Sequence, residues 1–121
     1  MEKINLQQKF SLFDEHWNPK IVAELNNQHV KLAKLLGEFD WHHHESEDEL
    51  FWVVSGELIM HFRDKSVTIG PGEMIVVPKG IEHKPEAKHE VQLVLFEPSS
   101  TVNTGSVAGS SAKTVTDLEW I

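Results

Sequence analysis

The chain has 121 residues, which is enough for one domain with a hydrophobic core and too few for two. Hydrophobic residues make up 40% of it and charged residues 25%, an ordinary composition for a soluble globular protein. The net charge of −8 at pH 7, from 19 acidic and 11 basic side chains, would repel a phosphate backbone, so we expect no nucleic acid partner.

Three further features of the composition narrow the function. Without cysteine the chain has no disulfide framework, no thiolate nucleophile and no cysteine-type zinc site. No apolar run has the length of a signal-peptide core or of a membrane span, so we expect a cytoplasmic protein without a membrane partner. Arg63 is the one arginine, which argues against bidentate recognition of a phosphorylated ligand.

The amino-terminal segment mixes apolar and polar residues without a clean period. Leu6, Phe10 and Phe13 fall near one helical face, so residues 4–17 predict a short helix or an edge segment. Pro19 then interrupts the chain.

Residues 21–36 predict a β-hairpin. The turn is Asn26-Asn27, and asparagine tolerates the positive φ angles that tight hairpin turns require. In the second arm Leu32 alternates with Lys31, which is the pattern of a strand with one buried face.

Five further segments of three to six residues predict strands: residues 50–54, 57–62, 67–69, 74–77 and 91–96. A charged turn at 63–65 separates the second from the third, and Gly- or Pro-containing turns separate the others. The first is apolar throughout, which predicts a strand buried on both faces. Short strands at intervals of about ten residues indicate a sandwich or a barrel rather than a helical domain.

After residue 98 the composition shifts to Ser, Thr, Gly, Ala and Val, which predicts an arm or a loosely held tail. Thr116 and Glu119 match a capping box, so a helical turn carrying Leu118 and Trp120 is expected at the end. Such a tail can fold back on its own barrel or reach a second subunit, and the sequence does not choose between them.

A cluster of histidines lies in residues 37–56. His42 and His44 are two positions apart, so in an extended segment both imidazoles share one face while His43 points to the other. Glu49 follows just before an apolar strand. These side chains offer two imidazoles and one carboxylate for a metal ion.

A second stretch, residues 72–83, supplies His83 after a strand and a Pro-x-Gly turn. Three imidazoles and one carboxylate suit a divalent transition metal: Fe, Mn, Ni, Zn or Cu. The sequence therefore predicts a metal site with these four ligands: His42, His44, Glu49 and His83.

Both stretches resemble sequence motifs of the cupins. The first is similar to the first cupin motif through Gly37, His42, His44, Glu49 and Gly56. The second is similar to the second cupin motif through Gly72, Pro78, Gly80 and His83. Three histidines alone would fit a solvated loop, but two motifs in the right order favour metal binding. The chain thus resembles a small RmlC-like cupin, a group often labelled mannose-6-phosphate isomerase-like on grounds of fold, which does not establish an activity.

The resemblance implies an all-β fold, a cupin-type double-stranded β-helix (jelly-roll) barrel with short irregular or helical termini. It implies a single cupin domain over residues 1–121, with a barrel core over about 20–98 and a carboxy-terminal arm at 99–121. The four ligands would point into the barrel mouth. The chain departs from the motifs at Ala87, where asparagine is usual, and in a shorter spacing after Gly37, and neither change touches a ligand.

Four protein ligands leave room on the metal for water, dioxygen or a chelating substrate. We therefore expect a small-molecule ligand in the barrel and a metalloenzyme with dioxygenase-like or isomerase-like chemistry. The scarcity of arginine favours the dioxygenase-like reaction over phosphosugar isomerisation, while isomerisation of an unphosphorylated sugar stays open. The alternatives are a non-catalytic cupin that binds or senses a metabolite or metal, and a structural barrel with vestigial ligands.

Two further residues are candidates for catalysis. His61 would line the barrel near a substrate if it points inward, although a histidine on a strand is more often exposed or satisfied by a neighbour. Glu82 would be a general base if it points inward, but its place beside His83 predicts the opposite face. Exposed barrel edges and apolar amino-terminal residues also lead us to expect a homodimer.

Overall fold

The computed structural model describes residues 1–106 and 117–121, and within them it shows a β-rich fold with one short helix. The prediction of a mostly β cupin fold is confirmed. Among the described residues, no helix has the length and apolarity needed to cross a membrane. In chain order the elements are α1 (Leu6–Phe10), β1 (Lys20–Leu25), β2 (Gln28–Glu38), β3 (Glu49–Ser55), β4 (Leu58–Phe62), β5 (Ser66–Ile69), β6 (Met74–Val77), β7 (His83–Pro98) and β8 (Glu119–Trp120).

The helix α1 occupies part of the predicted segment. The Asn5 side chain caps it by accepting a hydrogen bond from the Gln8 backbone N–H at 2.9 Å. Phe10 ends the helix and is buried, and Phe13 lies just beyond it with ring centroids 6.1 Å apart. Both rings pack on the outer side of the sheet, so α1 covers a face that would otherwise be wet.

The predicted hairpin is confirmed, with β1 and β2 antiparallel across a two-residue turn. Asn26 and Asn27 have φ angles of 48° and 62°, the left-handed values that this kind of turn requires. The prediction of one buried face in β2 is wrong. Lys31 faces the barrel interior and Leu32 packs against the amino-terminal segment, so both are buried.

The prediction that residues 50–54 are buried on both faces is also wrong. In β3, Phe51 and Val53 point into the core, whereas Trp52 is 39% exposed on the outer face. β3 pairs with β6 on one edge and β7 on the other, and its outer face carries apolar side chains that are partly in solvent. The apolar residues of β3 therefore form part of the core on one face and an exposed apolar surface on the other.

The long strand β7 holds the sheet together. It pairs along its length with β2, while its other edge pairs first with β4 and then with β3. The predicted strand at residues 91–96 is the second half of β7. Its first half was missed because charged residues alternate there with small or ring-containing ones and give no apolar run.

The core lies between the inner faces of these strands. Its members come from β2, β3, β4, β6 and β7, and the four-residue β5 adds Ile69 at one edge. The inner residues are Ala33, Leu35, Phe51, Val53, Leu58, Met60, Ile69, Val77, Ala87, Val91, Leu93 and Leu95. This apolar packing holds β3 and β7 in place, and the first residue of each strand is a predicted metal ligand: Glu49 in β3 and His83 in β7.

The carboxy-terminal residues pack against the same chain. Glu119–Trp120 form β8, which pairs parallel with β1, so the predicted helical turn at Glu119 and Trp120 is wrong. The hydrogen bonding to β1 continues one residue further, because the Ile121 backbone N–H donates to the Ile21 carbonyl oxygen at 3.0 Å. Thr116, the expected cap, and residues 107–116 of the predicted tail lie outside the described residues.

Candidate metal centre

The four predicted ligands meet at one point inside the barrel. One ligand atom from each of them lies within 4.8 Å of the corresponding atom of every other. All four side chains are buried, with exposed fractions of 4% for His42, His44 and Glu49 and 1% for His83. The predicted convergence of these residues is confirmed, and whether they hold a metal ion stays a prediction.

Backbone pairing brings the two distant stretches together. The His42 N–H donates to the His83 carbonyl oxygen at 3.0 Å, and the His83 N–H donates back to His42 at 2.9 Å. The Gly80 N–H donates to the His44 carbonyl at 2.7 Å, which ties the turn before His83 to the histidine loop. Glu49 is the first residue of β3, so the sheet itself fixes its position.

Two of the imidazoles are oriented by main-chain carbonyls. His42 Nδ1 lies 2.9 Å from the Asp40 carbonyl oxygen, and His83 Nδ1 lies 2.8 Å from that of Ile81. A carbonyl only accepts, so each Nδ1 carries the proton and each Nε2 keeps its lone pair. This arrangement is common around protein metal ions, where the second ring nitrogen of a ligand histidine is hydrogen-bonded.

The atoms that face the centre lack partners of their own. His44 Nε2, His83 Nε2 and Glu49 Oε1 are buried and make no hydrogen bond of acceptable geometry within the described protein. Glu49 Oε1 nevertheless lies 2.9 Å from His44 Nε2 and 3.4 Å from His83 Nε2. Buried polar atoms without partners are costly, and a shared cation is the simplest way to satisfy these three. The residues present therefore fit a divalent metal.

Burial and the neighbouring side chains together determine the protonation states of His42 and Glu49. Burial lowers the pKa of His42 to about 4, with help from the nearby His83 ring, so this imidazole is neutral at physiological pH. For Glu49, burial opposes ionisation, but the adjacent Glu97, His44 and His83 side chains outweigh it and hold the pKa well below the usual value. The centre thus offers neutral imidazole and ionised carboxylate, the forms that bind metals.

A buried ion pair beside the centre was not anticipated from the sequence. Lys31 and Glu97 are each 1% exposed, and Lys31 Nζ lies 2.8 Å from Glu97 Oε1. Burial and the adjacent negative charge of Glu49 raise the pKa of Glu97, against the pull of Lys31. The signal was present in the alternation of β7, where Glu97 follows Leu93 and Leu95 on the inward face.

A narrow cavity of about 50 Å³ opens onto the centre. His42, Glu49, Glu97 and Asn103 contribute its polar surface. The rest of the wall is mostly aliphatic and aromatic, from Trp17, Leu35, Phe39, Phe51, Leu93 and Leu95. A substrate bound to the centre would lie in this cavity.

The two catalytic candidates are not part of the centre. His61 lies on the outer face of β4, where Nε2 is 2.7 Å from Glu86 Oε1 and Nδ1 is 2.7 Å from Ser66 Oγ. Glu82 is exposed and pairs with Arg63, which lowers the pKa of its carboxyl. Both side chains are engaged on the surface, as the simpler interpretation of each predicted.

The carboxy-terminal segment 101–106 packs over the histidine loop. The Ser106 N–H donates to the His43 carbonyl oxygen at 2.8 Å, and the His43 N–H donates to Ser106 Oγ at 3.1 Å. Gly105 has a φ angle of 55°, and a Cβ built there would overlap the His43 carbonyl oxygen. The absence of a side chain at Gly105 is therefore what allows this close approach.

Comparison with known proteins agrees with this geometry. Residues 29–97, more than half of the chain, match the family described as Cupin domain. A crystal structure of a cupin-2 domain containing protein from Shewanella frigidimarina superposes with a TM-score of 0.78 at 50% identity. That match covers 78% of this chain and 93% of the other.

Two curated proteins are similar over shorter stretches. The uncharacterized protein YdbB of Bacillus subtilis is 42% identical over 64 residues, which is 52% of this chain and 57% of YdbB. An acireductone dioxygenase of Bacillus licheniformis is 36% identical over 67 residues, which is 51% of this chain and 37% of that enzyme. The chain thus spans less than two thirds of the length of either curated relative.

Proposed function

Because this chain belongs to the Cupin domain family, we propose that it is a divalent-metal-dependent enzyme acting on a small organic molecule, with dioxygenase-like chemistry. The observation that carries the proposal is the buried meeting of His42, His44, Glu49 and His83 around one point. One fold supports many activities, so the chemistry of these four side chains is what indicates a function.

The ligand set narrows the identity of the metal to a group. Neutral imidazole and carboxylate suit Fe, Mn, Ni, Zn or Cu, and cellular availability often decides among them. When bound, such a metal would supply Lewis acidity and, if it is redox-active, a site for dioxygen chemistry. Three histidines and one glutamate would hold it and leave positions for a substrate.

The protein's own main chain and side chains would orient the ligands and exclude water. The carbonyls of Asp40 and Ile81 fix the ring orientation of His42 and His83, so the Nε2 atoms stay aimed at the centre. Phe39 and Phe51 shield the imidazoles, with Phe39 edge-on to His42 at 5.2 Å between centroids. An apolar surround of this kind keeps bulk water from the reacting groups.

Two observations favour dioxygenase-like chemistry over phosphosugar isomerisation. The first is the 36% identity to an acireductone dioxygenase of Bacillus licheniformis over 67 residues, about half of this chain. The second is the position of Arg63, which pairs with Glu82 on the exposed surface rather than in the cavity. Among the described residues, the cavity wall contains no arginine or lysine that would hold a phosphate.

The metal requirement is tested by elemental analysis of purified protein. The wild type should carry about one divalent ion per chain, and the His42→Ala/His83→Ala double variant should carry none, because half of the ligand set is removed. The matched control is His43→Ala/His61→Ala, which removes two histidines outside the centre and should keep the metal. A His42→Ala/His83→Ala protein that retains stoichiometric metal would end the proposal.

The reaction class is tested on metal-loaded protein. Oxygen uptake with small diols or diketones is expected, and aldose–ketose interconversion is not. The rate should fall in His42→Ala if the reaction takes place at this centre, and it should stay unchanged if a contaminant catalyses it. Tight metabolite binding without turnover would instead support a non-catalytic binding or sensing module.

A further inference from the structure

We propose that the cavity selects compact chelating molecules whose far end is uncharged and apolar, and that the Lys31–Glu97 pair builds this selectivity. The inference rests on the proposed metal site, because the chelating end of the ligand would bind there. It adds the substrate class, which neither the family nor the site ligands define.

The first argument is the size of the cavity. A cavity needs roughly 10–15 Å³ of free volume for each water-sized group that it holds. The 50 Å³ beside His42 and Glu49 therefore holds a ligand portion of only a few non-hydrogen atoms. A sugar phosphate or a nucleotide would extend well beyond it.

The second argument is the chemistry of the wall. Leu35, Phe51 and Leu93 belong to the buried core and also line the cavity, so the far end of a ligand would contact aliphatic and aromatic carbon. A charged group placed there would lose its hydration without gaining a partner. An apolar group placed there would gain from burial, by about 0.8 kcal/mol for each methylene.

The third argument is that Lys31 already has a hydrogen-bond partner in the protein. Lys31 is a cation close to the cavity, yet its ammonium lies 2.8 Å from Glu97 Oε1 and both side chains are 1% exposed. Glu97 lines the cavity, whereas Lys31 does not. The Glu97 carboxyl therefore lies at the cavity wall and holds a buried ammonium that would otherwise attract a second negative charge.

The test compares two chelators that differ only at the far end. 2-Hydroxybutyrate and malate share a hydroxy-carboxylate head, and the first ends in a methyl group where the second ends in a carboxylate. Zinc-loaded protein is titrated with each by calorimetry. We expect 2-hydroxybutyrate to bind at least tenfold more tightly than malate. The extra carboxylate strengthens chelation of a free metal ion, so this order has to come from the cavity.

Variants of the ion pair test the origin of the selectivity. Glu97→Gln should uncover the Lys31 charge and raise the malate affinity relative to 2-hydroxybutyrate at least threefold. The matched control is Lys31→Met/Glu97→Gln, which removes the cation as well and should restore the preference for the apolar end. Zinc content and thermal unfolding of each variant confirm that the site and the fold are intact.

The outcomes separate this inference from the proposed function. Equal binding of both probes, tighter malate binding, or binding of neither probe to zinc-loaded wild type would overturn the inference while the metal site stands. Failure of the protein to take up zinc would overturn the proposed function and the inference with it. An unchanged preference in Glu97→Gln would overturn the role given to the Lys31–Glu97 pair. If that variant does not fold, the comparison of the two probes on the wild type still decides the preference for an apolar far end.

Discussion

At the scale of single residues, the orientation of the imidazoles is the central feature. His42 and His83 each give one ring nitrogen to a main-chain carbonyl two residues earlier in the chain, and this leaves the other nitrogen for a ligand. The identity of the four ligands could be predicted because they occur in short spacings within two motifs. Lys31 and Glu97 were missed because they lie 66 residues apart and charged residues are not expected in a core.

The depressed pKa of His42 has a consequence for stability. In the unfolded chain this histidine titrates near 6.5, whereas in the folded metal-free protein its pKa is about 4. Between these values the unfolded state binds more protons, so His42 makes the free energy of unfolding fall as the pH decreases from 6.5 to 4. The loss should reach about 3 kcal/mol.

This loss is measured by denaturant unfolding of metal-free protein at a series of pH values. The difference between wild type and His42→Gln isolates the contribution of this histidine from that of other groups. The difference in the free energy of unfolding between the two proteins should be constant above pH 7 and should change progressively below pH 6.5. Parallel stability curves for the two proteins over the whole range would show that His42 is not buried in the neutral form.

At the scale of elements, strand pairing converts two separate stretches of sequence into one site. β7 begins at His83, β3 begins at Glu49, and the backbone of His42 pairs directly with that of His83. Strand existence could be predicted from the apolar runs and turns. The full length of β7 and the exposed face of β3 could not, because pairing partners decide which side of a strand is covered.

The packing of segment 101–106 over the histidine loop leads to a prediction about Gly105. In Gly105→Ala the new methyl group would overlap the His43 carbonyl oxygen and approach His42 Cδ2 to 3.1 Å, in addition to straining a positive φ. The free energy of unfolding should fall by about 3 kcal/mol, and metal affinity should weaken because the loop carrying His42 is displaced.

Gly72→Ala is the matched control for this prediction. Gly72 has a φ angle of 80° but nothing within 4 Å of an added Cβ, so only the backbone strain of about 1–2 kcal/mol is expected. Denaturant unfolding and metal titration of the two variants are compared. Equal losses in both would mean that segment 101–106 does not press on the histidine loop.

At the scale of the whole molecule, the barrel leaves an apolar surface on its outer side. Trp52 of β3 pairs with Met74 of β6, and Val76 lies nearby, with exposed fractions of 39%, 55% and 54%. Apolar side chains in this number on adjacent strands often mark an interface. The homodimer expected from the sequence stays a prediction, and this apolar face is the candidate interface between its two subunits.

The dimer prediction is tested by light scattering at micromolar protein concentration. Wild type should show the mass of two chains, and Met74→Lys should show that of one, because a charge placed in the interface would be desolvated without a partner. Leu25→Lys, at the exposed hairpin end, is the control and should stay dimeric. A monomeric wild type would refute the expectation.

The account as a whole depends on four buried side chains sharing one divalent ion. A crystal structure of protein incubated with Zn²⁺, with anomalous data collected at the zinc edge, measures this most directly. We predict one strong anomalous peak about 2.0–2.3 Å from an atom of each of His42, His44, Glu49 and His83. The absence of a peak among these four residues, or a peak bound only by other side chains, would contradict the account.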